Sequence, residues 1–175
     1  MLRSIKNLLT LSKFSFPILI AKIFISSNSG LAWSLSKDGI SSLQGSHQVA
    51  QKFNINEYTG NLLILNFWAT WCEPCKDEMP SLDKLQANPE LDKIKIFPIN
   101  IGKETLHKVN KFFINLNIKN FDPYFDPPTT LAKMFTLRGV PTTILINKEG
   151  QEFARIIGSI DFEDTNFVNW IKKYN

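Results

Sequence analysis

The stretch Leu62–Pro80, LLILNFWATWCEPCKDEMP, decides how this chain is read, because it holds both of the chain's cysteines in the spacing Cys-X-X-Cys. Leu62 to Trp68 is an apolar run of the kind that forms a buried strand. Ala69, Thr70 and Trp71 turn the chain, and the cysteines stand where a helix should begin. Cys72 is then expected at the helix N-terminus, where unpaired amide N–H groups and the positive end of the dipole favour a thiolate; it is the expected nucleophile. Cys75, one turn in and beneath it, is the expected resolving thiol, which attacks Cys72 to release a mixed disulfide. Pro74 suits an early helical position, where no N–H is needed.

The chain has 175 residues and a net charge of +4, and the excess charge is local. Arg3, Lys6, Lys13 and Lys22 are the only charged residues before Trp33, which leaves 16 basic residues against 16 acidic ones in the remainder. A body without net charge or a basic cluster has no electrostatic footprint for a nucleic-acid partner. The N-terminus has the layout of an export signal: a basic segment to Lys13, an apolar stretch from Phe14 to Ile25, and small and polar residues ending at Gly30, Leu31 and Ala32. Cleavage is expected after Ala32, which places the protein in the periplasm or another extracytoplasmic space. Pro17 and Lys22 interrupt the apolar stretch, which is shorter than the ~20 residues of a spanning helix. An uncleaved segment tethering the protein to the inner membrane and a plain N-terminal extension are therefore open alternatives. Residues 33–60 read as a linker and N-terminal layer, and 61–175 as one domain. A disulfide-stapled fold would scatter its cysteines; this chain keeps its two together, as working thiols.

Downstream, the helix carrying the cysteines is expected to run through Leu82 and Leu85 to about Asn88, with Pro80 inside it. Ile94–Ile101 reads as a second buried strand, with Pro98 casting doubt on its end. From Thr105, the apolar positions Val109, Phe112, Phe113 and Leu116 define one face of a crossover helix. A short extended piece at Phe121–Asp126 precedes Pro127 and Pro128, after which Thr129 or Thr130 caps a short helix bearing Leu131, Met134 and Phe135. A hairpin follows, its strands around Ile144–Ile146 and Phe153–Ile157, and then a C-terminal helix from about Glu163 with Phe167, Trp170, Ile171 and Tyr174 on one face.

This order of elements is that of thioredoxin, and NFWATWCEPCKDEMP followed by GVPTTILINKEG closely resembles the TlpA-like branch of the thioredoxin superfamily from about Asn61 to the C-terminus. The resemblance implies an α/β, thioredoxin-like three-layer sandwich, a central mixed sheet with helices on both faces. It also implies an exported, often membrane-tethered thiol-disulfide oxidoreductase with no cofactor or metal, acting as a monomer. Carried onto this chain, it implies a cis bond between Val140 and Pro141 beside the Cys72–Cys75 disulfide, where a client's backbone docks. Trp71 has two readings, packing or an apolar rim for a docking client.

Where the superfamily places a buried aspartate before Phe-Trp, this chain has Asn66, which exchanges no proton at neutral pH. Glu78, three residues after Cys75 on the same helical face, is expected to handle the proton instead, a role that glutamates of the reductase branch have; a solvated helix carboxylate is the alternative. Glu73, between the cysteines, bears on direction. A carboxylate there disfavours the thiolate, which lowers the reduction potential and makes a reductant; a plain N-terminal anion on the dipole is the alternative. The leading expectation is a reductase of client disulfides, with apocytochrome c haem-binding cysteines or copper-site cysteines as the clients the family implies, recharged by a membrane thiol donor. A disulfide oxidase, a copper-binding module and an inert structural disulfide are the competing readings. His47 and His107 are the only histidines, so a metal site lacks obvious ligands. A peroxidase is disfavoured because a Cys-X-X-Cys pair replaces the lone peroxidatic cysteine.

Overall fold

The computed structural model describes residues 22–25, 55–126 and 129–175. In chain order the elements are β1 (Lys22–Ile25), β2 (Leu62–Trp68), α1 (Glu73–Gln86), β3 (Ile94–Asn100), α2 (Leu106–Asn115), β4 (Tyr124–Phe125), α3 (Thr130–Met134), β5 (Thr142–Ile146), β6 (Glu152–Ile157) and α4 (Thr165–Ile171). Single 3-10 turns lie at Ile55–Tyr58 and Pro89–Leu91. The sheet order is β1-β6-β5-β2-β3-β4, parallel from β2 to β4 and antiparallel through β5, β6 and β1. This is the mixed thioredoxin-like sheet, and β2, the strand ahead of the cysteines, lies inside it between β3 and β5.

Strand alternation divides the core. Leu63, Leu65 and Phe67 point to the face that α3 covers, where they meet Phe97, Ile99, Leu131, Phe135 and Ile144. Leu62 and Ile64 point the other way, against Leu82 and Leu85 of α1 and Phe167 and Ile171 of α4. Trp68 continues that second face toward α2, packing with Cys75, Met79, Val109 and Phe113. Each large apolar side chain wholly buried here contributes roughly 1.5–3 kcal/mol. β2 is buried at all seven positions, as an interior strand with helices on both faces requires.

Pro98 sits within β3 without interrupting it. The Ile101 N–H donates to Trp68 O at 3.0 Å, so by alternation the nitrogen of residue 98 faces away from β2. On that outer side β4 pairs only with Ile99 and Asn100, so the missing N–H costs no ladder bond. α1 continues through Pro80 and ends at Gln86, two residues before the expected end. α2 lies where the periodicity places it, and Thr105 caps it, accepting the Lys108 N–H at 3.3 Å.

Two expectations are corrected. Thr129 takes the N-cap position of α3 but makes no side-chain capping bond. Buried Asp126 does the work instead, its two oxygens accepting the N–H groups of Thr130 at 2.8 Å and Ala132 at 2.9 Å. The C-terminal helix starts at Thr165, capped by Asp164, and ends at Ile171; Tyr174 lies beyond it, its ring 4.6 Å from that of Phe153. At the N-terminus, Lys22–Ile25, part of the stretch read as an export signal, runs antiparallel along β6, so the sheet takes a strand from outside 61–175. The rest of 1–32, and 33–54 of the linker, lie outside the described residues.

Removing Asp126 strands the N–H groups of Thr130 and of buried Ala132. The Asp126→Ala variant is expected to lose about 1–3 kcal/mol of stability, read as a lower urea midpoint at unchanged m-value. An unchanged midpoint would show that the cap carries no stability.

Candidate active site

The turn after β2 is closed by the Cys72 N–H, which donates to Ala69 O at 3.1 Å; the Lys76 N–H then donates to Cys72 O at 3.3 Å and starts α1. Cys72 is thus the N-cap residue, and Pro74 lies in the first turn. The two sulfurs are bonded at 2.06 Å, with Cα atoms 5.3 Å apart. Cys75 is fully buried and Cys72 keeps 4% exposure, so Cys72 offers the sulfur that an incoming chain can reach. Trp71 stands 67% exposed beside it. Its ring is therefore not part of the buried core. The Val140–Pro141 bond is cis, and Val140 packs against the cluster that contains both cysteines. Its loop is held by the Gly158 N–H donating to Pro141 O at 3.0 Å and by Thr142 Oγ1 donating to Gly139 O at 2.7 Å. The fold therefore brings Trp71, Cys72, Pro74, Cys75, Val140 and Pro141 to one end of the sheet.

Glu78 lies on the buried stripe of α1 with Cys75, Met79 and Leu82, and it is 2% exposed, which rules out a solvated carboxylate. Asn66, on β2, donates its Nδ2 to Glu78 Oε1 at 2.8 Å and to Thr143 Oγ1 at 3.0 Å. Three carboxylates are buried among the described residues, and they differ in how they are satisfied. Asp126 spends both oxygens on α3. Asp83 accepts the backbone N–H groups of Lys119 and Asn120 and the Asn120 side-chain amide, stapling α1 to the segment after α2. Glu78 has one oxygen bonded to Asn66, while Oε2 has no hydrogen-bond partner. Burial dominates its ionisation and pushes its pKa up to about 8; the Asn66 amide and the backbone at Ile160 oppose the shift by smaller amounts. Glu78 is also one of the residues lining an open groove of about 420 Å³, with Ser81, Ser159, Ile160 and Asp161, although its carboxyl stays buried. A buried acid of this pKa, on the helical face of a buried thiol, is equipped to exchange protons near neutral pH.

The reading of Asn66 from sequence is incomplete. Asn66 exchanges no proton, but it holds the Glu78 carboxyl and is itself held to Thr143 on β5. The only local signal was an amide inside an otherwise apolar strand. Glu73, by contrast, is solvated and paired with Lys76, so its charge is partly compensated and screened. His107 is exposed and His47 lies outside the described residues.

The Glu78 shift has a testable sign. The native state holds a proton that the unfolded chain releases above about pH 4.5, so burying Glu78 costs stability progressively as pH rises from there to about 8. Glu78→Gln is therefore expected to gain stability relative to wild type across that window, by a few kcal/mol in total, in urea melts at a series of pH values. Parallel stability curves would mean that Glu78 titrates as an ordinary carboxylate.

The sequence matches the AhpC/TSA family over residues 38–151. It is 29% identical over 164 residues to the thiol-disulfide oxidoreductase ResA of Geobacillus thermodenitrificans, covering 93% of this chain and 90% of that one. Against ResA of Geobacillus kaustophilus the identity is 32% over 110 residues, or 63% and 62% of the two chains. Against the sporulation thiol-disulfide oxidoreductase A of Bacillus subtilis it is 30% over 105 residues, or 59% and 64%. The chain thus spans less than two thirds of the latter two relatives. The structure superposes on crystalline StoA of Bacillus subtilis with a TM-score of 0.54 at 25% identity, over 66% of this chain and 83% of that one. A thioredoxin-family thiol:disulfide interchange protein of Chlorobium tepidum shares the fold, with a TM-score of 0.58 at 23% identity over 69% and 86%. With its paired cysteines at the start of α1, the chain belongs to the AhpC/TSA family and is a TlpA-like thiol-disulfide oxidoreductase of thioredoxin fold.

Proposed function

We propose that this oxidoreductase works outside the cytoplasm as a reductase of client-protein disulfides. In the reduced protein, the Cys72 thiolate attacks one sulfur of a client disulfide. The client S–S bond breaks, a Cys72–client mixed disulfide forms, and the other client sulfur leaves as a thiolate that takes up a proton. Cys75 then gives up its proton and attacks Cys72 Sγ, which closes the Cys72–Cys75 bond and releases the second client thiolate. Two electrons pass to the client, and a membrane thiol donor returns them. Glu78 handles the Cys75 proton: with a pKa of about 8, close to that of a thiol, it is partly acid and partly base in the working range. Trp71 and the Val140–Pro141 edge receive the client chain.

The observation that carries this reading is the under-bonded buried carboxyl of Glu78, placed on the face of α1 that holds the resolving cysteine. Only glutamate and proline separate the cysteines, so no histidine between them stabilises the thiolate, and a less stabilised thiolate means a stronger reductant. The clients follow from the family resemblance: the haem-binding cysteines of apocytochrome c, or copper-site cysteines of cytochrome oxidase and its assembly proteins. A disulfide oxidase is the second reading, favoured by the solvated, Lys76-paired state of Glu73, which weakens its opposition to the dipole at Cys72. A copper carrier has less support, since among the described residues no three His, Cys, Asp or Glu side chains are grouped to hold a metal ion.

Equilibration with a glutathione or dithiothreitol couple, with trapping of free thiols, tests the direction. A reduction potential near or below about −250 mV is expected; a value near about −120 mV would make the protein an oxidant. Export is tested by fractionating cells that express the full chain. Recovery outside the cytoplasm, with Trp33 at the new N-terminus or with the leader retained in the membrane, is expected, and a wholly cytoplasmic protein would contradict it.

A further inference from the structure

The turn that presents Trp71 and Cys72 is held from the side by a residue of the β3–α2 loop. Glu104 Oε1 accepts two hydrogen bonds from Thr70, one from Oγ1 at 2.6 Å and one from the backbone N–H at 3.3 Å. Its other oxygen is buried and has no hydrogen-bond partner. The carboxylate reaches this place by folding back over Gly102, which is itself buried, and a β-carbon at 102 would overlap it. Gly102 does not have the left-handed backbone that usually demands glycine, so room is what the residue supplies here. Both ends of the strut are anchored. The Ile101 N–H donates to Trp68 O, which fixes the loop to the end of β2, and Thr105 caps α2, whose Phe112 and Phe113 stack on Trp68 at 4.9 and 5.5 Å.

We infer that Glu104 is a positioning residue of the redox site, and that Thr70, Gly102 and Glu104 act as one clamp fixing the turn from which Cys72 attacks. Thr70 lies two residues before Cys72, inside the turn closed by the Cys72 N–H bond to Ala69 O. If that turn loosens, Cys72 is no longer held at the start of α1, where helix amides and the dipole act on its sulfur. The buried unpartnered oxygen marks the arrangement as one that costs stability, and a group kept under those terms supports the site beside it. Asp83 is the contrast: it is fully bonded and contacts only the structural segment at 119–120. The inference rests on Cys72 as the attacking thiol.

The test uses the reduced full chain and four variants: Thr70→Val, Gly102→Ala, Glu104→Ala and Glu104→Gln. The readouts are the reduction rate of a peptide carrying a Cys-X-X-Cys disulfide and the pH profile of iodoacetamide alkylation. Thr70→Val, Gly102→Ala and Glu104→Ala are each expected to slow peptide reduction about tenfold and to move the alkylation midpoint up toward that of a free cysteine. Glu104→Gln, which keeps an acceptor for Thr70, is expected to recover most of the rate. Thr70→Val with Glu104→Ala should be no worse than either alone. Thr70→Val is nearly isosteric and leaves every carboxylate in place, so it decides the matter even where another variant fails to fold. Unchanged rate and midpoint in Thr70→Val, with only the melting temperature moved, would make the contact a mere staple and overturn the inference. Equal loss in Glu104→Gln and Glu104→Ala would overturn it as well. Mapping the alkylated cysteine separates this from the proposed function: label on Cys75 defeats Cys72 as nucleophile, whereas label on Cys72 with unchanged kinetics defeats the clamp alone.

Discussion

A hydrogen bond of 2.8 Å between Asn66 and Glu78 ties the middle of the central strand to the helix that carries the disulfide, and the chemistry of the site depends on it. Burial of the Glu78 carboxyl opposes its ionisation, and an unheld glutamate would find another rotamer or water. Asn66 donates one amide hydrogen to Glu78 and the other to Thr143 on β5, so two neighbouring strands fix the orientation of one acid on α1. An aspartate at 66 could not make this arrangement without placing two carboxyls against each other, one of which would have to stay protonated. In this chain the amide on the strand and the acid on the helix therefore fit together as a pair.

The rest of the fold serves to keep that pair dry while leaving Cys72 reachable. α3 covers one face of the sheet, and α1, α2 and α4 cover the other; the aromatic stack of Phe112 and Phe113 on Trp68 closes the end of the core next to the cysteines. The disulfide lies at the boundary, with Cys75 on the buried side and exposed Trp71 on the other. An open groove lined by Ser159 and Asp161 has Glu78 in its wall, while the carboxyl itself stays buried.

What could be read from the sequence was whatever is local. The apolar run of β2, the hairpin of β5 and β6 and the 3.6-residue periodicity of α2 all depend on neighbours a few residues apart, and all appear where expected. The Cys-X-X-Cys motif at a strand–turn–helix junction belongs to the same class, as does Pro74. The cap of α3 was misread because Asp126 acts across Pro127 and Pro128, and no pattern signals a cap that begins before a proline pair. Tyr174 matched the α4 periodicity, yet the helix stops at Ile171 and the ring packs on Phe153 from a different direction. The Asn66–Glu78 and Thr70–Glu104 contacts join residues 12 and 34 positions apart, so only the folded chain brings them together.

The account stands or falls on the state of one carboxyl. Carbon-detected NMR of the full chain, labelled at glutamate side chains and titrated in both oxidised and reduced forms, reads Glu78 directly, with Glu78→Gln assigning its resonance. A midpoint near 8 is expected. A second inflection for Glu78 is also expected in the reduced form alone, as a neighbouring thiol titrates. A midpoint near the ordinary value of 4.5, with the same curve in both redox states, would contradict the account and leave the Cys75 proton without a handler.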